Sequence, residues 1–108
     1  MTDSLSDLET LALAALARLG PDAYGVSIRE EIEERTGRAV SVGSLYKALH
    51  RLETRGLVKT TVGEPTSVRG GRAKKHVRIE PAGRAALRAS IASYRRMFEG
   101  LGMDPKTP

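Results

Sequence analysis

The sequence predicts a mainly α-helical domain that carries one small β-hairpin, and three observations support this. Apolar residues recur at helical spacing in four separate stretches. Between the third and fourth stretches the pattern changes to β-branched alternation, in LVKTTV (57–62) and KHVRI (75–79). Each helical stretch is bounded by a capping residue, a glycine or a proline. At 108 residues, the chain fits one domain with a modest core, which a partner subunit would extend.

The first helix is expected over 5–19. Ser4 with Asp7, or Ser6 with Glu9, has capping-box spacing. Leu5, Leu8, Leu11, Ala12, Ala15, Leu16 and Leu19 share a broad stripe. Leu13 points away from that stripe and is expected to meet a second surface. Gly20 and Pro21 stop the helix. The second helix covers 25–36, with Tyr24, Ile28 and Ile32 at i, i+4 spacing. Glu30, Glu31, Glu33 and Glu34 form a solvated acidic face, on which Glu31 and Arg35 pair. Gly37 closes this helix.

The third helix is expected over 41–55, with Ser41 as its N-cap. Val42, Leu45, Leu49 and Leu52 mark the buried stripe. Ser44, Lys47, His50, Arg51, Thr54 and Arg55 lie off it, and Gly56 ends the helix. Only Gly37 to Val40 separate the second helix from the third, so the two must cross steeply. The two β-branched runs pair as an antiparallel hairpin, with Val77 and Ile79 inward and His76 and Arg78 outward. GEPTSVRGGRAKKH (63–76) joins them, and crowds Arg69, Arg72, Lys74 and Lys75 around Gly70 and Gly71. Connections this long without structure of their own are uncommon in compact domains and are often functional.

The last helix opens at Pro81, a favoured first helical position. Leu87, Ile91, Tyr94, Phe98 and Leu101 then repeat at spacings of 4, 3, 4 and 3, the pattern of a seam between two supercoiled helices. The expected organisation is a head over 1–80, a dimerisation helix over 81–102 and a flexible tail over 103–108.

Charge separates the two ends of the chain. Residues 1–37 carry eight acidic and three basic side chains, net −5. Residues 38–108 carry five acidic and fifteen basic ones, net +10. This asymmetry suits one face for a polyanion and another for a different partner. The lack of cysteine excludes disulfides and thiolate metal sites and suits a reducing compartment. No run of 18 apolar residues is present to span a membrane, and the acidic start MTDSLSDLE is unlike a secretory signal. His50 and His76 are far apart and outside any HExxH pairing, so no metal site is expected. The glycine-rich loop lacks the GxxxxGK[ST] spacing of a nucleotide loop. No nucleophile–base pair is visible, and neither an enzyme nor a cofactor is expected.

Three helices followed by a hairpin is the order of a winged helix-turn-helix. The third helix then enters the major groove, which is wide enough to admit it, and the hairpin loop lies alongside as the wing. Cations on a wing meet phosphates, and glycines permit close approach. GVSIREEIEERTGRAVSVGSLYKALHRLETRGLV, the basic wing and VRIEPAGRAAL together resemble the PadR family of bacterial transcriptional regulators, over roughly residues 8–90. That resemblance implies a homodimer and repression relieved by a small molecule or another signal. By position, Ser44, Tyr46, Lys47 and Arg51 match the recognition-helix surface, and Arg69, Gly70, Gly71, Arg72 and Lys74 match the wing. Two departures stand out. Lys47 occupies a place where the family often has proline, and the chain lacks the tryptophan of the family's drug-sandwiching pocket.

The expected DNA-contacting set is therefore Ser41, Ser44, Tyr46, Lys47, His50, Arg51, Arg69, Gly70, Gly71, Arg72, Lys74 and Lys75. The expected dimer set is Leu13, Leu87, Ile91, Tyr94, Phe98 and Leu101. The expected partners are a palindromic double-stranded operator, a second copy of the chain and a small-molecule effector. The expected location is the bacterial cytoplasm, at the nucleoid when DNA is bound. A protein-interaction adaptor is the alternative, but it would place an apolar or acidic patch where this helix carries Lys47, His50 and Arg51. RNA binding is weaker still, since the four aromatics form no evident base-stacking platform.

Overall fold

The computed structural model describes residues 4–62 and 75–103. Its elements run α1 (Asp7–Leu19), α2 (Gly25–Thr36), α3 (Val42–Thr54), β1 (Val58–Val62), β2 (Lys75–Ile79) and α4 (Pro81–Phe98). This is the expected fold class. Among the described residues, no helix is long and apolar enough to cross a membrane.

Ser6, not Ser4, starts α1. Its hydroxyl accepts from the Glu9 amide at 3.1 Å, and the Glu9 carboxylate accepts from the Ser6 amide at 2.6 Å. Ser6 thus satisfies one of the orphan donors of the first turn, and Glu9 reciprocates. From there α1 runs through the middle of the fold and packs against α2, α3, α4 and β2. That placement corrects the expectation for Leu13. Surrounded on several sides, α1 buries more than one stripe, and Leu13 is 0% exposed within the core alongside Ala12, Ala15 and Leu16. It offers nothing to a second surface.

β1 and β2 pair antiparallel from Val58↔Ile79 to Val62↔Lys75. Val58, Val77 and Ile79 are buried and Arg78 is exposed, as the alternation requires. His76 departs from the outward expectation and is only half-exposed. Tyr24 forms a bridge with it on the free edge of β2, and the two rings meet edge-on at 6.4 Å. Beside them the Val77 amide donates to the Ala23 carbonyl at 2.7 Å. The first half of β2 is thereby tied to the start of α2.

α4 leaves the hairpin under a close backbone contact. The Leu57 carbonyl accepts from the Glu80 amide at 3.0 Å. A Cβ at Gly83 would collide with that same oxygen, so the first turn of α4 requires glycine to lie this close. Further along, Ala86 and Leu87 pack onto the core, and the Ser90 and Thr10 hydroxyls hydrogen-bond at 3.1 Å. Beyond Ser90 the helix leaves the core, and Ile91, Tyr94, Met97 and Phe98 are exposed.

Candidate nucleic-acid interface

The angle of α3 is set by the short joint before it. Val40 is buried there, and both of its backbone groups are taken by α2 side chains. Arg29 Nε donates to its carbonyl at 2.7 Å, and Glu33 Oε2 accepts from its amide at 2.9 Å. Arg29 and Glu33 also pair with each other at 3.6 Å. Glu33, read from sequence as part of a solvated acidic face, is therefore a staple of the turn. Arg38, in the same joint, pairs with Asp7 of α1 at 2.6 Å.

Ser41 caps α3. Its hydroxyl accepts from the Ser44 amide at 3.1 Å and bonds the Ser44 hydroxyl at 2.8 Å. Leu45, Ala48, Leu49 and Leu52 are buried. Val42, expected on that buried stripe, is instead 48% exposed, at the edge of a small cleft it shares with Gly25, Val26 and Arg29 of α2. Opposite the buried face, Gly43, Lys47, His50 and Thr54 fall at i, i+4, i+7 and i+11, and all four are exposed. Among the described residues, Lys47 and His50 have no ion-pair partner.

Two neighbours flank this outward row. On the α2 side, Tyr46 is 51% exposed and lays its ring over Gly25, where a Cβ would collide with the phenol oxygen. The tyrosine thus buries one side and leaves the other at the surface. On the α1 side, Arg51 turns toward α1. Its Nε pairs at 3.4 Å with Glu9 Oε2, and Glu9 is 4% exposed. Arg51 is therefore partly neutralised, which corrects its place in a free cationic face. From sequence Glu9 has the spacing of a cap alone; its link to Arg51 spans 42 residues and leaves no local signal.

Burial pushes the Glu9 carboxyl up. The Ser6 amide, the Ser6 hydroxyl and Arg51 together outweigh it and hold the carboxyl below its ordinary value. The stability this contributes is complete above the unfolded glutamate pKa of about 4.3 and is lost as pH falls through the lower folded value. Glu9→Gln keeps an acceptor for the Ser6 amide but does not titrate. Thermal melts between about pH 3 and 6 should fall more steeply on acidification for the natural chain than for the variant. Equal slopes would remove Glu9 from the acid response.

The other expected residues divide by region. Lys75 opens β2 and is exposed. Arg69, Gly70, Gly71, Arg72 and Lys74 lie outside the described residues. On α4, Ile91, Tyr94 and Phe98 form an exposed apolar surface, with the Tyr94 and Phe98 rings stacked at 6.1 Å, and Leu101 continues it past the helix end. Leu87 is half-buried against its own core. A groove of about 330 Å³ runs between Ser4, Leu5, Arg55 and the Ala86, Ser90 and Tyr94 side of α4. Among the described residues, no group of His, Asp or Glu is arranged to hold a metal ion.

Comparison with known proteins gives concordant matches. A family model described as the transcriptional regulator PadR-like family matches residues 13–89. Over 83 residues the chain is 46% identical to the transcriptional regulator Rv3488 of Mycobacterium tuberculosis, covering 77% of this chain and 69% of that one. A transcriptional regulator from Clostridium thermocellum superposes with a TM-score of 0.74 at 25% identity, covering 87% of this chain and 85% of the other. A PadR family transcription regulator from Clostridium difficile gives a TM-score of 0.73 at 24% identity, over 85% and 91% of the two chains, and this likeness concerns the fold alone.

Proposed function

The chain belongs to the PadR-like family of transcriptional regulators, and from that membership we propose that it is a dimeric repressor that reads a palindromic DNA operator with α3 and the 63–76 loop. The family and its relatives are regulators of transcription and not enzymes. The observation that carries the reading is the outward row Gly43–Lys47–His50–Thr54, on a helix whose exit angle is clamped through Val40. A stapled turn presents the helix as a rigid unit, and Lys47 on its free face meets a polyanion without first breaking an ion pair. An adaptor for protein partners would instead present an apolar or acidic surface there.

In this reading, residues 81–102 join two heads through the exposed face of α4. Each head reads one half-site, with centres about 34–36 Å apart. Arg69 and Arg72 supply phosphate or minor-groove contacts, with Gly70 and Gly71 allowing the approach. Arg51, tethered to Glu9, serves a phosphate better than a base edge. The protein acts in the cytoplasm, at the nucleoid when bound. A small-molecule effector would release it by favouring a head spacing that the operator does not match. The groove beside Tyr94 is of ligand size and lies between α4 and the segment that leads into α1, so its occupancy would bear on that spacing.

Selection from random duplex DNA tests the reading most directly and should enrich a palindrome. Lys47→Ala should then alter base preference at one position per half-site, by about 1–3 kcal/mol. The double change Arg69→Ala with Arg72→Ala should weaken binding across sequences and flatten its salt dependence. A selection without enrichment, together with unchanged affinity and salt slope in both variants, would reject DNA recognition.

A further inference from the structure

We propose that Gly43 is a specificity-determining contact with DNA, where the bare backbone of the first turn of α3 seats against the base edges of the major groove. The inference rests on α3 being the recognition helix and extends that reading to a residue it leaves without a role.

Glycine within a helix is unfavourable relative to alanine, because it loses more backbone freedom on folding. A fold usually explains such a residue by a positive φ or by crowding at the missing Cβ. Gly43 has neither. Its φ is not among the positive values found in this chain, and a Cβ built on it meets nothing within 4 Å. The contrast lies within the same molecule. Gly25 makes room for the Tyr46 ring and Gly83 for the Leu57 carbonyl, whereas Gly43 makes room for nothing among the described residues.

The open space lies on the outward row, at its N-terminal end, beside exposed Val42 and Ser44 and one turn before Lys47. In a helix-turn-helix, the N-terminal residues of the second helix are those that reach base edges. A methyl group at this point would hold the turn away from the groove floor. It would lengthen the reach required of Ser44, which serves any base, and of Lys47, which favours guanine O6 and N7. The missing side chain therefore sets how deeply α3 enters, and the depth decides whether its neighbours read sequence.

The test is Gly43→Ala in the full chain, measured with the operator recovered by selection and with an unrelated duplex. The melting temperature should rise by a few degrees, since alanine favours the helix. Operator affinity should fall at least about tenfold, binding to the unrelated duplex should change little, and the salt slope should be retained because no charge is lost. Gly43→Val should weaken operator binding further. Operator affinity equal to the natural chain in both variants would overturn the proposal, as would a lower melting temperature accompanying the loss of binding, which would mean that glycine serves the fold. A natural chain that binds no duplex would instead defeat the DNA-binding reading itself, and this inference with it.

Discussion

Changing Ile91 and Phe98 to aspartate is expected to yield a folded monomer whose operator affinity is about 10²–10⁴-fold lower. Both side chains are exposed, Phe98 at 60%, so neither change removes core packing from the head. In the assembly proposed above, each would place a carboxylate in the apolar contact between subunits, where an unpaired charge is costly to bury. The affinity falls because two linked heads bind the second half-site at high effective concentration, and a monomer loses that gain. Leu87 is a poorer choice for this experiment, although it begins the heptad-like seam. It is half-buried and packs on its own core, so a charge there would confuse unfolding with dissociation. Light scattering would report the mass, circular dichroism the retained helix and a titration with operator DNA the affinity. A dimer that survives both changes would reject α4 as the seam.

Gly83→Ala is expected to destabilise the domain by about 2–3 kcal/mol, at the severe end for a one-carbon change. The added methyl would meet the Leu57 carbonyl oxygen and the Ile79 side chain. Backbone cannot rotate away as a flexible side chain can, so α4 must lift from the start of the hairpin. Lifting it strains the 3.0 Å bond from the Glu80 amide to that carbonyl and loosens the Leu87 packing beyond it. A urea or thermal unfolding curve measures the loss, and an unchanged midpoint would contradict the contact. The same substitution at Gly43 should raise the midpoint. One chemical change with opposite signs at two helical glycines separates a residue retained for the fold from one retained for a partner.

The elements themselves follow from local chemistry. Ser6 and Ser41 caps, the Gly37 stop and Pro81 at a first helical position are short-range signals, and the helix starts and the ends of α1, α2 and α3 fall within two residues of the expectation, whereas α4 stops at Phe98, four residues short of the expected 102. The hairpin register follows from alternation, since a slip of one residue would turn Val77 and Ile79 outward. Lys47 and His50 were readable as a free face for the same reason: the stripe of Leu45, Leu49 and Leu52 leaves them on the opposite side of the helix.

Periodicity orients one helix about its own axis but does not say how many neighbours surround it, and the misread residues all turn on that difference. Leu13 is buried because α1 has partners on several sides, and Val42 stays half-exposed because α2 covers it on one side alone. The pairing of Arg51 with Glu9, the stapling of Val40 by Arg29 and Glu33, and the clearance that Gly25 and Gly83 provide each join atoms from separate segments. Order of elements, caps, strand register and the basic outward row of α3 were thus written in neighbouring residues. The tilt of that helix, the taming of its arginine and the meaning of each glycine arose only when distant segments packed, because burial and close approach are properties of the assembled neighbours and not of any stretch of chain.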